Sequence, residues 1–299
     1  MKTIIRTLIT FLIFFIFPSY SIAAKPKELR VYLIPTEAPD IVVKKHQPLA
    51  DYLKKRLGVE VKLTVPPTYP EVIEAIEKGQ ADLSYLGALT YLQAKEKVPD
   101  IEPIVTAQAI HTTVIITRKG SGIKSIKELK GKTFAFGSES STSGHLVPRG
   151  DLLSSGIDPS KDFARFIFAG GHDKVAFAVA KGEIDAGALY KPVFDRLVSE
   201  GKVSDKDVMV IWESPPFADF PWVASGRLDK GFKKEIKDAF LTLNDPKILD
   251  PLKATGYREV SASLFDKIKE YAEKLGFIKP ATKKGEAPGG GADDIGMGY

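Results

Sequence analysis

The sequence predicts an α/β protein of two lobes, each built on a mostly parallel sheet with helices on both faces. Past residue 24, short β-branched runs alternate with amphipathic stretches, the order that builds such sheets. Glycines stand where helical stretches stop, as at Gly58 and Gly79. The chain has 299 residues, a length that two lobes accommodate more readily than one core.

The elements follow in order. Lys2 and Arg6 precede an apolar run over 8–17, Pro18 breaks it, and Ser21, Ala23 and Ala24 offer small residues for cleavage. That is the pattern of a secretory leader over 1–24. The run falls short of the roughly 20 residues that span a bilayer, which favours a cleaved leader over a retained anchor. A strand is expected at 29–35, a helix at 46–57, a strand at 59–65, a helix at 71–78, a strand at 82–85 and a helix at 90–97. Strands recur at 113–117, 132–136, 165–168, 185–189 and 208–212, with helical periodicity between them at 146–154, 175–181 and 193–199. After 222–224 the pattern turns helical, over 232–243 and 264–275. The tail over 281–299 carries Gly289, Gly290 and Gly291 and little apolar mass, so it is expected to be disordered.

Composition narrows the classes. The chain has no cysteine, which removes disulfides and the lipidated N-terminal cysteine of an anchored protein. An exported chain without an anchor suits a Gram-negative periplasm. The 43 basic and 38 acidic residues leave +5, or +3 without Lys2 and Arg6. They are interspersed, which argues against nucleic-acid binding and suits a small anionic ligand.

The most informative segment is 133–149, TFAFGSESSTSGHLVPR. An apolar strand runs into a turn rich in Gly, Ser and Thr, and the turn opens a helix. Helix N-termini expose unpaired N–H groups and partial positive charge, so Ser141, Thr142 and Ser143 with Gly144 describe an anion site needing no formal cation. The same pattern describes a capped helix start with solvated serines. Four successive hydroxyls at 140–143 exceed what one cap requires and favour the site. His172 follows Gly170 and Gly171 at the carboxyl end of an expected strand, where open α/β sheets bind ligands; a surface histidine capping its own helix is the alternative. Tyr69 and Tyr85 lie at element ends and on residue type alone suit core or rim.

Enzyme signatures fail. Gly131, Lys132 and Thr133 resemble the end of a P-loop, but Ile126 stands where its first glycine belongs. No GxSxG elbow surrounds the serines, and His46, His111, His145 and His172 show no metal-ligand spacing.

At these residues the chain resembles the phosphate/phosphite/phosphonate-binding proteins of ABC transporters, the PhnD-like family. The resemblance rests on YPEVIEA at 69–75, ADLSYLG at 81–87, TVII at 113–116, and STSG at 141–144 with LVP at 146–148. It continues through GHD at 171–173, GEIDA at 182–186 and SPP at 214–216. It implies a type II periplasmic-binding fold, with one lobe of 25–114 plus 222–280, another of 115–221, and a two-crossing hinge near 113–117 and 222–224. It also implies that Ser141, Thr142, Ser143 and His172 grip the ligand's oxygens, and Tyr69, Tyr85 and His111 are expected to complete the ligand-binding set, the two tyrosines from the opposite lobe. His111 stands where relatives often have tyrosine. Phe220 precedes Pro221 where relatives often place an acid, with Asp219 one position earlier. Those positions bear on ligand identity in the family.

The expected function is capture of a phosphorus oxyanion for an ABC transporter permease by a monomer without cofactor, touching the membrane only through that permease. An accessory of a sensor histidine kinase and a phosphoester-acting enzyme are the alternatives. Three physical expectations accompany this: the lobes close on the ligand, the turn's exposed hydroxyls contribute little to stability, and cationic His172 binds more tightly than neutral His172.

Overall fold

The computed structural model describes residues 25–280 apart from 110, 219 and 262. The expected leader, the glycine-rich tail and Asp219 lie outside the described residues. The chain opens with β1 (Glu28–Leu33), α1 (Pro39–Leu57), β2 (Glu60–Thr64), α2 (Tyr69–Glu77), β3 (Leu83–Tyr85), α3 (Ala88–Lys97) and β4 (Glu102–Ala107). A second group follows: β5 (Thr113–Arg118), β6 (Thr133–Phe136), α4 (Val147–Ser154), α5 (Pro159–Asp162) and β7 (Arg165–Phe168). It ends with α6 (His172–Lys181), β8 (Ala186–Tyr190), α7 (Lys191–Ser199) and β9 (Val208–Glu213). The chain then adds β10 (Pro221–Ala224), α8 (Lys230–Leu241), α9 (Pro246–Leu249), β11 (Tyr257–Glu259) and α10 (Asp266–Lys274).

Two sheets result, one per lobe. The first runs β11-β4-β10-β3-β1-β2 and the second β7-β6-β8-β5-β9. The chain therefore passes between lobes twice, from Ala107 to Thr113 and from Glu213 to Pro221. Thr113 and Val114, expected in the first lobe, pair with Tyr190 and Leu189 in the second sheet. Pro221, expected in the second, pairs with Thr106 in the first.

The expectation of mostly parallel sheets needs correction. Parallel pairing holds for β2-β1-β3 and β7-β6-β8, where α-helices make the crossovers. The strands that border the passages, β4, β5, β9 and β10, pair antiparallel. A strand entering a sheet from the other lobe has no crossover helix to return it to the same end, so its direction is free to reverse.

Helix α1 begins seven residues before the expected 46. Pro39 occupies its first turn, where a missing N–H costs nothing, and Pro48 sits inside it. Val42, His46, Leu49, Leu53 and Leu57 form its buried stripe at helical spacing, and Gly58 ends it at φ 71°. Strands β4 and β11 were not expected, being short segments with Pro103 inside one and charged residues in the other.

Each sheet is covered on both faces. Leu53 of α1 and Phe240 of α8 pack on one face of the first, and Val72 and Leu89 of α2 and α3 on the other. Val175 and Leu197 of α6 and α7 cover one face of the second, and Leu152 of α4 the other. Leu146 and Val147 of the second lobe join the same apolar cluster as Leu89 and Ala272 of the first. Among the described residues no helix is long and apolar enough to cross a membrane.

Candidate functional site

The turn after β6 is held by its own backbone. Gly137 N–H donates to Gly144 O at 2.9 Å, and Gly144 N–H donates to Ser141 Oγ at 2.9 Å. Ser141 thus caps a wide helical turn over Thr142–Leu146 that leads into α4. Ser141, Thr142 and Ser143 are no more than 2% exposed, so the expected exposure of these hydroxyls is wrong. The lobes are already in contact there. Leu89 N–H of the first lobe donates to Thr142 Oγ1 at 3.0 Å, and Thr90 Oγ1 donates to Ser140 O at 2.8 Å. Thr113 Oγ1 donates to Ser143 O.

His172 opens α6, and the neighbourhood defines its chemistry. Its N–H donates to Thr36 O of the first lobe at 2.9 Å. Its Nδ1 accepts from Tyr190 N–H at 3.2 Å, which leaves the proton on Nε2. Nε2 is buried and has no partner among the described residues. Burial, and secondarily the charge of Lys45, pushes the imidazole down to about 3. The ring is neutral in the unliganded protein, where Nδ1 already accepts from Tyr190 N–H. A Cβ at Gly144 would lie 3.1 Å from His172 Cε1 and 3.1 Å from Gly137 Cα. Glycine at 144 therefore admits the imidazole and the facing backbone, placing the ring edge against the oxyanion turn.

Aromatic rings wall the site. Phe220 stacks on Tyr85 at 5.2 Å and contacts His111 at 5.2 Å and Tyr190 at 5.1 Å. Tyr190 lies 6.0 Å from His172, and His46 lies 5.1 Å from Tyr85. Phe220 holds φ 54°, a left-handed conformation that a bulky residue adopts only under constraint. His111 Nδ1 and Tyr190 Oη are 2.7 Å apart, and burial first, then the charge of Arg258, lowers His111 to about 4. These contacts bring Tyr85, His111 and His172 around one ring system with the turn. Tyr69 starts α2 and is buried in one apolar cluster with Ile34, Leu86 and Phe220, against which Tyr85 and Tyr190 pack.

A small cleft opens beside these rings, lined from the first lobe by Thr36, Glu37 and Lys45 and from the second by Tyr190 and Arg196. Sequence reasoning missed Tyr190, Glu37 and Arg196. Tyr190 was within reach of the rule already applied to His172, since it ends β8 at its carboxyl edge. Nothing local marks Glu37 or Arg196, because each acquires its role from the other lobe.

The chain matches the family described as "ABC transporter, phosphonate, periplasmic substrate-binding protein" over residues 31–265. It is 32% identical to a probable ABC transporter phosphite binding protein of Prochlorococcus marinus, covering 90% of this chain and 96% of that one. It is 26% identical to a phosphate-import protein of Mycolicibacterium smegmatis, over 72% of this chain and 71% of the other. The solved Prochlorococcus marinus protein in complex with methylphosphonate superimposes with a TM-score of 0.79 at 31% identity, over 85% of this chain and all of that one. Alternating two-sheet architecture, a hydroxyl-rich turn facing a loop histidine, and similarity over most of the chain agree: the protein belongs to the periplasmic phosphonate substrate-binding family of ABC transporters.

Proposed function

We propose that this protein captures a small phosphorus oxyanion between its lobes and delivers it to an ABC transporter permease. The observation that carries the reading is the buried, unpartnered Nε2–H of neutral His172, its ring edge set against the helix-opening turn at 141–144. A buried donor without an acceptor costs about 1–3 kcal/mol, a cost that a bound oxyanion removes. Ser141, Thr142 and Ser143 supply hydroxyls and helix-terminal N–H groups, so charge is met by neutral donors and the helix dipole. Tyr85 and His111 form the wall, and Tyr69 supports it from the first lobe's core. The ligands named for relatives, phosphite, phosphate and methylphosphonate, share three oxygens on phosphorus and differ in the fourth substituent.

Export by the 1–24 leader, release without a lipid anchor and a monomeric receptor complete the proposal. So does hinge closure across the passages at 108–112 and 214–220. A ligand touching both lobes binds the closed form better and shifts the population toward it. Thermal melts with phosphite, phosphate, methylphosphonate and sulfate test the ligand class. A true ligand at 100 times its Kd stabilises the fold by about 2.7 kcal/mol. No shift with any phosphorus oxyanion, or a larger one with sulfate, would overturn it.

A further inference from the structure

The two lobes also exchange charged contacts that lie outside the oxyanion turn. Glu37 follows β1 in the first lobe and is 4% exposed. One of its oxygens accepts from Lys45 of α1 in its own lobe, and the other accepts from Arg196 of α7 in the second. Arg196 also meets Glu200 one turn along at 2.6 Å. In the reverse direction, Asp173 of the second lobe reaches the start of α1. Ala38, the N-cap of α1, has no side chain able to cap that helix, and its N–H donates to Asp173 Oδ2 at 3.1 Å. Asp173 Oδ1 accepts from Lys174 N–H at 2.9 Å, so the carboxylate serves the N-termini of two helices, one in each lobe.

We propose that Glu37, Arg196 and Asp173 form a closure latch that sets the affinity and residence time of the ligand without touching it. It rests on the reading that a ligand closes the cleft. Each contact exists only while the lobes are together: on opening, Arg196 retains Glu200, Glu37 retains Lys45, and Ala38 N–H returns to water. The latch therefore contributes to the closed state alone, and the free energy it adds appears as ligand affinity while the free protein is mostly open, saturating once the closed form dominates. The exchange is reciprocal, with each lobe giving one carboxylate to the other. It also pins the segment 36–38, whose Thr36 carbonyl accepts from the His172 N–H, so latch and oxyanion donor share one piece of backbone.

The test uses the full exported protein, which has no cysteine of its own and accepts paired spin labels at exposed Lys44 and Asp195, one per lobe. Distance distributions are measured free and with saturating phosphite, and phosphite affinity and release are measured on the unlabelled protein. Glu37→Gln and Arg196→Gln should each weaken phosphite binding about tenfold, mainly through faster release, and shift the distribution toward longer distances. The double variant should weaken it little further than either single one, since the pair is broken once. Asp173→Ala should act in the same direction, and Asp173→Asn, whose side-chain oxygen still accepts from Ala38 N–H, should recover most of the loss. Affinities within twofold of the parent and unchanged distances in Glu37→Gln and Arg196→Gln would overturn the latch. If the parent takes up no phosphorus oxyanion while the variants still lengthen the distances, the latch stands and the ligand reading falls.

Discussion

The two lobes contribute opposite chemistries to the same site. The second brings hydrogen-bond donors on rigid supports: a helix start capped by Ser141 and a histidine whose tautomer is set by Tyr190 N–H. The first brings mainly surfaces and backbone: the ring of Tyr85, on which Phe220 of the second passage stacks, the Leu89 N–H that engages Thr142, and the Thr36 carbonyl that engages His172. A cradle of donors is useful when it stands ready before the ligand arrives, because donors that need no reorganisation lose least on binding. A wall of rings is useful when it arrives afterwards and removes water, since that strengthens every donor already in place. The division of labour explains why charged contacts between the lobes lie at the cleft's edge, away from the oxyanion turn.

That contrast can be tested from the strongest effect downward. Acid should act on both lobes together. Burial lowers His46, His111 and His145 to about 4 and His172 to about 3. All four sit below their unfolded value near 6.5, so the unfolded chain binds more protons and stability falls as pH drops below 6.5. Each neutral buried histidine contributes a slope of up to about 1.4 kcal/mol per pH unit, and the sum reaches several kcal/mol by pH 4.5. Melts from pH 7.5 to 4.5 should show this decline steepening below 6.5, and a flat profile would count against buried neutral histidines.

Next comes the donor lobe itself. His172→Ala should cost about 1.5–3 kcal/mol of binding for a phosphorus oxyanion, measured calorimetrically, because it removes a donor to a charged acceptor. Affinity of the parent protein for methylphosphonate should not rise between pH 7 and 5 if Nδ1 keeps accepting from Tyr190 N–H in the complex, since the ring then takes up no second proton. Tyr85→Leu, on the wall lobe, should cost less than His172→Ala, as it removes ring area and leaves the donors standing. Equal losses would erase the proposed division.

Gly144→Ala probes the seam within the donor lobe. Its methyl would meet Ser141 Oγ at 2.9 Å and Gly137 Cα at 3.1 Å, and overpacking of this kind costs about 1–3 kcal/mol of stability. Binding should fall with it, because the His172 ring is displaced from the turn. The smallest effect belongs to Tyr190→Phe, which deletes the hydroxyl paired with His111 Nδ1 and should cost about 0.5–1.5 kcal/mol in a melt. It should leave the His172 tautomer intact, since Nδ1 is held by the Tyr190 backbone rather than its side chain.

Much of this was legible in residue order alone. Alternating β-branched and amphipathic runs, with Gly58 and Gly182 as left-handed stops, encode elements locally, because each needs only its own periodicity and cap. The hydroxyl run at 140–143 and the glycines before His172 mark strand-to-helix turns through the same local rules. What tertiary structure alone decided involves partners far apart in the chain. Whether Ser141–Ser143 are solvated caps or buried groups depends on Leu89 and Thr90, some 50 residues away. The protonation of His172 depends on how completely the first lobe covers it, and the antiparallel β5 and β10 depend on where the chain re-enters each sheet. Glu37 and Arg196, 159 residues apart, read singly as surface charges. Burial and pairing are properties of two segments meeting, so no window along one of them contains the information.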